Sequence, residues 1–131
     1  MNDLPKTIIC YYQGADGPTI RIDARAKEWL GYFKKCICLL IKGDALEISI
    51  NYLDHVKLDN IETFKLVKVS CRKYSNIIVS NNCVIWSRDV EALITIAGLV
   101  DGLIDGEGPG HQYLDGMDDK VSIVLAINEI D

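Results

Sequence analysis

The chain has 131 residues, of which 49% are hydrophobic and 25% charged, with three prolines; this is the composition of one folded domain and excludes a disordered or low-complexity tract. A net charge of −5 argues against a general binder of nucleic acid or anionic membrane. The apolar run Ile8-Ile9-Cys10-Tyr11-Tyr12 is too short for a signal-peptide core, and residues 36–41 fall short of the roughly 20 that span a bilayer, so a cytoplasmic protein is expected.

Residues 7–13, rich in Ile and Tyr, read as a strand; turn residues fill 14–18 and a strand resumes over 19–22, so a hairpin opens the chain. Asp23 stands where a helix N-cap belongs. Trp29, Leu30, Phe33, Ile37, Leu40 and Ile41 then recur three and four apart, the apolar face of a helix that Lys42 and Gly43 close. From Ala45 the period falls to two, which predicts a single strand running on to Val56. Asp59-Asn60 is a turn, and a second long strand is expected from Phe64 to near Lys73. Ser80-Asn81-Asn82 divides 77–79 from 84–86, the pattern of another hairpin.

Ser87 is the expected N-cap of a second helix, with Val90, Leu93, Ile94, Ala97, Val100, Leu103 and Ile104 along one face. It stops by Asp105, because Gly106, Gly108, Pro109 and Gly110 cannot sustain it. Residues 112–114 and 120–128 predict two closing strands joined by an acidic turn. Helices that do not alternate with strands exclude a doubly wound parallel sheet. One α+β domain over residues 1–131 is expected, a mostly antiparallel sheet with two amphipathic helices packed on one face. No repeat of fixed period appears.

Five cysteines, an odd number without an export signal, suggest free thiols packed in or near the core. Cys36 and Cys38 lack the second ligand pair of a zinc site, and His55 and His111 have no metal-ligand spacing to each other. His111 admits a general-base reading with Glu107 or Asp115 to orient it, beside a purely structural one. The glycines at 106–110 follow a helix and precede no Lys-Ser/Thr, so they are no phosphate loop. No nucleophile motif is present, and no cofactor or metal is called for. Lys65, Lys68, Arg72 and Lys73 beside Tyr74 read as a solvated face.

Charge is unevenly spread. Residues 1–88 hold 13 of the 14 Lys and Arg against 9 acids, a balance of +4; residues 89–131 hold 10 acids against Lys120, a balance of −9. If the end of the second helix meets the 115–119 turn, the two make a concentrated negative field suited to a basic protein partner.

Residues 84–127 carry a further signal: a strand ending in Trp86-Ser87, an amphipathic helix, Gly-Pro-Gly-His-Gln-Tyr-Leu-Asp over 108–115, and a closing apolar strand. This stretch, about the C-terminal third of the chain, resembles small bacterial immunity proteins of polymorphic-toxin and contact-dependent growth-inhibition systems. The resemblance implies a non-enzymatic, cytoplasmic protein that binds a cognate toxin domain, often a nuclease with a basic cleft. Asp101, Asp105, Glu107, His111, Tyr113, Asp115, Asp118 and Asp119 would then carry recognition, with Tyr113 or Trp86 as an aromatic anchor. The alternatives are a structural or regulatory homo-oligomeric subunit, and a small-ligand protein or enzyme centred on His111.

Overall fold

The computed structural model describes residues 4–116 and 119–128. Among these, the first hairpin is β1 (Thr7–Gly14) and β2 (Gly17–Ala24), followed by α1 (Lys27–Lys42). Then come β3 (Glu47–Ser49), β4 (Val56–Asp59) and β5 (Thr63–Lys68), the hairpin β6 (Asn76–Ser80) and β7 (Cys83–Arg88), α2 (Val90–Asp105), β8 (Gly110–Tyr113) and β9 (Ser122–Ile127).

The fold is α+β. Its strands form two mixed sheets instead of one mostly antiparallel sheet: a five-stranded sheet in the order β4-β1-β2-β9-β8 and a four-stranded sheet in the order β3-β5-β7-β6. The hairpins and the pairs β3–β5 and β8–β9 are antiparallel, whereas β1–β4, β2–β9 and β5–β7 are parallel. Every parallel pair joins strands far apart in the chain, where local turn chemistry carries no information.

Four of the local expectations need correction, and tertiary pairing accounts for them. Neither Asp23 nor Ser87 caps a helix: β2 runs on because Asp23 and Ala24 pair with Ala126 and Ile127, and β7 runs on because Ser87 and Arg88 pair with Val67 and Lys68. Helix α1 starts after Ala26 without a side-chain cap, while Asp89 caps α2 by accepting from the Ala92 N–H at 3.1 Å. The single strand expected from Ala45 to Val56 is broken by a 3-10 turn at Ile50–Tyr52. Ile50 sinks fully into the core there, and Asn51 Oδ1 accepts from the Phe64 N–H at 3.0 Å, so β3 and β4 part into different sheets. Strand β5 ends at Lys68, short of Lys73, and a 3-10 turn occupies Arg72–Tyr74.

One core joins the layers. Trp29, Leu30, Phe33, Ile37 and Leu40 of α1 and Leu93, Ile96, Val100 and Leu103 of α2 meet the inner faces of both sheets, Ile9, Ile20, Ile22, Ile123 and Leu125 in one, Phe64, Leu66, Val84 and Trp86 in the other. Trp29 stacks on Phe33 at 5.3 Å and Phe64 on Trp86 at 6.0 Å. Trp86 is fully buried, so it belongs to the core and not to a surface. Gly43, with φ 84°, ends α1: its own N–H reaches Leu40 O and the Asp44 N–H reaches Leu39 O at 3.0 Å, the double closure that a left-handed residue permits. Helices α1 and α2 run antiparallel, joined by Lys34–Asp101 at 2.6 Å and by Lys27 Nζ donating to Gly106 O. No helix among the described residues is long and apolar enough to cross a membrane.

The topology hides a repeat that sequence periodicity does not show. Each half of the chain is a hairpin, a 16-residue helix and a second antiparallel pair: β1-β2-α1-β3/β5, then β6-β7-α2-β8/β9. Each half donates its second pair to the sheet built on the other half's hairpin, through the parallel contacts β2–β9 and β7–β5. Among the described residues, β4 is the strand without a counterpart.

Candidate functional site

Strand alternation places His111 and Tyr113 on the outer face of the five-stranded sheet, opposite the core. Register carries that face inward from the edge strand β8: Tyr113 lies across from Val124, Val124 from Arg21, and Arg21 from Cys10, with Ser122, Thr19 and Tyr12 in the neighbouring row. An open cleft of about 310 Å³ follows, lined chiefly by Tyr12, Thr19, Arg21, His111, Tyr113 and Ser122, with Asp16 at its rim.

The rim is set by the first hairpin. Gly14 pairs with Gly17 across a two-residue turn at Ala15 and Asp16, and Gly17 takes φ 113°. A Cβ on Gly14 would come within 2.8 Å of Thr19 Oγ1, the hydroxyl that donates to Gly17 O, so the close approach needs glycine. Two aromatic side chains stand out of this face. Tyr113 is 58% exposed and Tyr12 40%, and the His111 ring meets Tyr113 edge-on with centroids 5.9 Å apart. The Cys10 thiol, one strand further in, is pushed above its ordinary range by burial and next by Asp59, so it stays protonated.

The acids singled out from the sequence divide into three roles. Asp105 and Glu107 are exposed, at the end of α2 and in the loop leading to β8. Asp101 forms the ion pair with Lys34, whose ammonium is held above its usual range by that bond. Asp115 and Asp119 serve the chain itself. Asp115 Oδ1 accepts from the Ile123 N–H at 3.1 Å, and Asp119 accepts from Arg88 and from the Gly116 N–H at 2.6 Å. Asp118 lies outside the described residues.

The two acidic ends therefore do not meet. Asp119 is fixed to Arg88, beside the first turns of α2, while Asp105 ends that helix, whose 16 residues span about 24 Å. Glu107 stays in the loop ahead of β8, and what the structure brings together is His111 and Tyr113 with Tyr12, Thr19 and Arg21, which no sequence motif marked. Their only signal was alternation in the first hairpin, which put Tyr12 on the same face as Cys10.

His55 stays apart from His111, in a left-handed conformation (φ 62°) ahead of β4, with its carbonyl accepting from the Thr7 N–H at 2.7 Å. All five cysteines are unbridged; Cys71 is exposed and the others are half-buried. Among the described residues no group of three His, Cys, Asp or Glu is placed to hold a metal ion. No family model matches the chain, and no curated protein or solved structure does so either.

Proposed function

We propose that this protein is an immunity-type inhibitor that holds a toxin domain against β8 and the outer face beside it. The observation that carries the reading is the exposure of Tyr113 and Tyr12 on strands around a polar cleft. Tyrosines on a sheet bury a large area at little entropic cost, and such anchors dominate interface energetics. Asp16 at the rim of the cleft, with exposed Asp105 and Glu107 in the segment that leads into β8, supplies negative charge suited to the basic cleft of a nuclease. By this reading the protein acts by occlusion and performs no chemistry.

The test is capture of the partner from the native host at low salt, followed by affinity measurement on variants. Tyr113→Ala is expected to weaken the complex by at least about 2 kcal/mol, roughly thirtyfold. Asp105→Asn with Glu107→Gln is expected to slow association at low salt and to lose that effect at high salt, because rim charges act by steering. Full affinity in both Tyr113→Ala and Tyr12→Ala would place the interface elsewhere.

The lining of Arg21, His111, Thr19 and Ser122 supports a second reading, a small anionic ligand held in the cleft. Saturable stabilisation of the isolated protein by a small anion, lost in His111→Ala, would favour that reading over the first.

A further inference from the structure

The internal repeat singles out one strand. Strand β6 occupies in the four-stranded sheet the position that β1 occupies in the five-stranded sheet: each begins a hairpin, and each lies outside its partner. The outer edge of β1 is covered by β4, in register from Thr7–Val56 to Cys10–Asp59. The outer edge of β6 carries no strand among the described residues.

That bare edge also lacks the features that keep edges apart. Asn76-Ile77-Ile78-Val79-Ser80 contains no charge and no proline, and the register of its pairing with β7 is unbroken, so no bulge bends it away. Ile78 at its centre is 50% exposed, and beside it on the same face lies Ile85, 43% exposed. The strand reads polar, apolar, apolar, apolar, polar from either end. Laid antiparallel on a copy of itself, it sets Ile78 against Ile78, Ile77 against Val79 and Asn76 against Ser80, with like character meeting like and no charge opposed. Carried one step past the strand ends, the same register sets Ser75 against Asn81 and Tyr74 against Asn82, again with no charge on either side.

We propose that β6 is a dimerisation edge, where two copies of this chain pair antiparallel about Ile78 and fuse their four-stranded sheets into one of eight strands. The edge belongs to the sheet that does not carry Tyr113, so a dimer leaves the toxin-binding face proposed above free, and either proposal stands or falls without the other.

Sedimentation of the intact protein from about 10 µM to about 1 mM tests this, with dimer mass growing as mass action requires. Hydrogen exchange across the same range is expected to slow at the β6 amides by about tenfold or more, with β8 amides unchanged. Ile78→Lys, which brings two ammonium groups together at the axis, is expected to weaken the dimer about tenfold while its melting curve stays cooperative. Ile85→Lys, on the same face one strand further in, is expected to change dimerisation by less than about threefold. A protein that stays monomeric throughout, or a dimer broken by Ile85→Lys but indifferent to Ile78→Lys, overturns the proposal. The exchange measurement uses no variant, so it decides the matter even if Ile78→Lys fails to fold.

Discussion

Replacing Asp119 by alanine is expected to unfold the protein about 10 °C earlier, because this carboxylate is a structural latch. Its side chain is 11% exposed and that of its partner Arg88 4%, so the pair lies in a region of low dielectric. Arg88 also donates to Ser87 O at 2.8 Å, and Asp119 takes the Gly116 N–H, so both ions have further hydrogen bonds that offset their desolvation. Removing one member leaves the other charge buried, a loss of about 3 to 5 kcal/mol, here the lower end because Asp119 retains some solvent. At about 2.1 cal/mol/K per residue, 131 residues give an unfolding entropy of about 0.28 kcal/mol/K, so 3 kcal/mol converts to about 10 °C. Circular dichroism melting reads this directly. Arg88→Met with Asp119→Leu, which removes both charges, is expected to recover at least half of the loss. A melting point within about 3 °C of the parent for Asp119→Ala would refute the latch.

Gly43→Ala forces a Cβ into the left-handed region at φ 84° and is expected to cost about 1 kcal/mol, or about 3 to 4 °C; an unchanged melt would mean that α1 ends differently. Burial holds the Cys10 and Cys36 thiols above their ordinary range, so the reactive thiolate forms there only as pH rises past that range. Alkylation at neutral pH read by mass spectrometry should therefore mark exposed Cys71 well before either, and equal labelling of Cys10 would contradict its burial.

Much of the fold was legible because much of it is local. The apolar stripe from Trp29 to Leu40 fixed α1, and Gly43 marked its end as the left-handed residue found there. Asn81 and Asn82, with φ 52° and 64°, are the pair that a tight hairpin requires. What failed was non-local. Asp23 and Ser87 have good capping chemistry, but each belongs to a strand that a distant parallel partner extends. The alternation from Leu46 to Tyr52 suits a strand on any periodicity measure; Ile50 leaves it because the core needs an apolar side chain there, and Asn51 because Phe64 needs an acceptor. The cleft was half legible for the same reason. His111 and Tyr113 sit in a distinctive run, but Arg21 joins them only through the pairing of β2 with β9.

The charge division along the chain takes on a different meaning once the pairs are known. Residues 1–88 carry a balance of +4 and residues 89–131 one of −9, a pattern that suggests an acidic surface held out for a partner. In the fold, part of that imbalance is answered inside the molecule: Lys34 takes Asp101, Arg88 takes Asp119, and Lys27 takes the Gly106 carbonyl at the end of α2. These contacts tie the basic N-terminal part to the acidic remainder, as the exchange of strand pairs between halves requires. Neutralising acids indiscriminately would therefore confound folding with binding. Exposed carboxylates remain at Asp105 and Glu107, in the segment that leads into β8, and at Asp16 on the rim of the cleft, and a steering role for charge rests on these three. If their removal leaves association rates unchanged at low salt while Tyr113→Ala still weakens the complex, the partner is held by the aromatic face alone, and a basic toxin cleft is no longer implied.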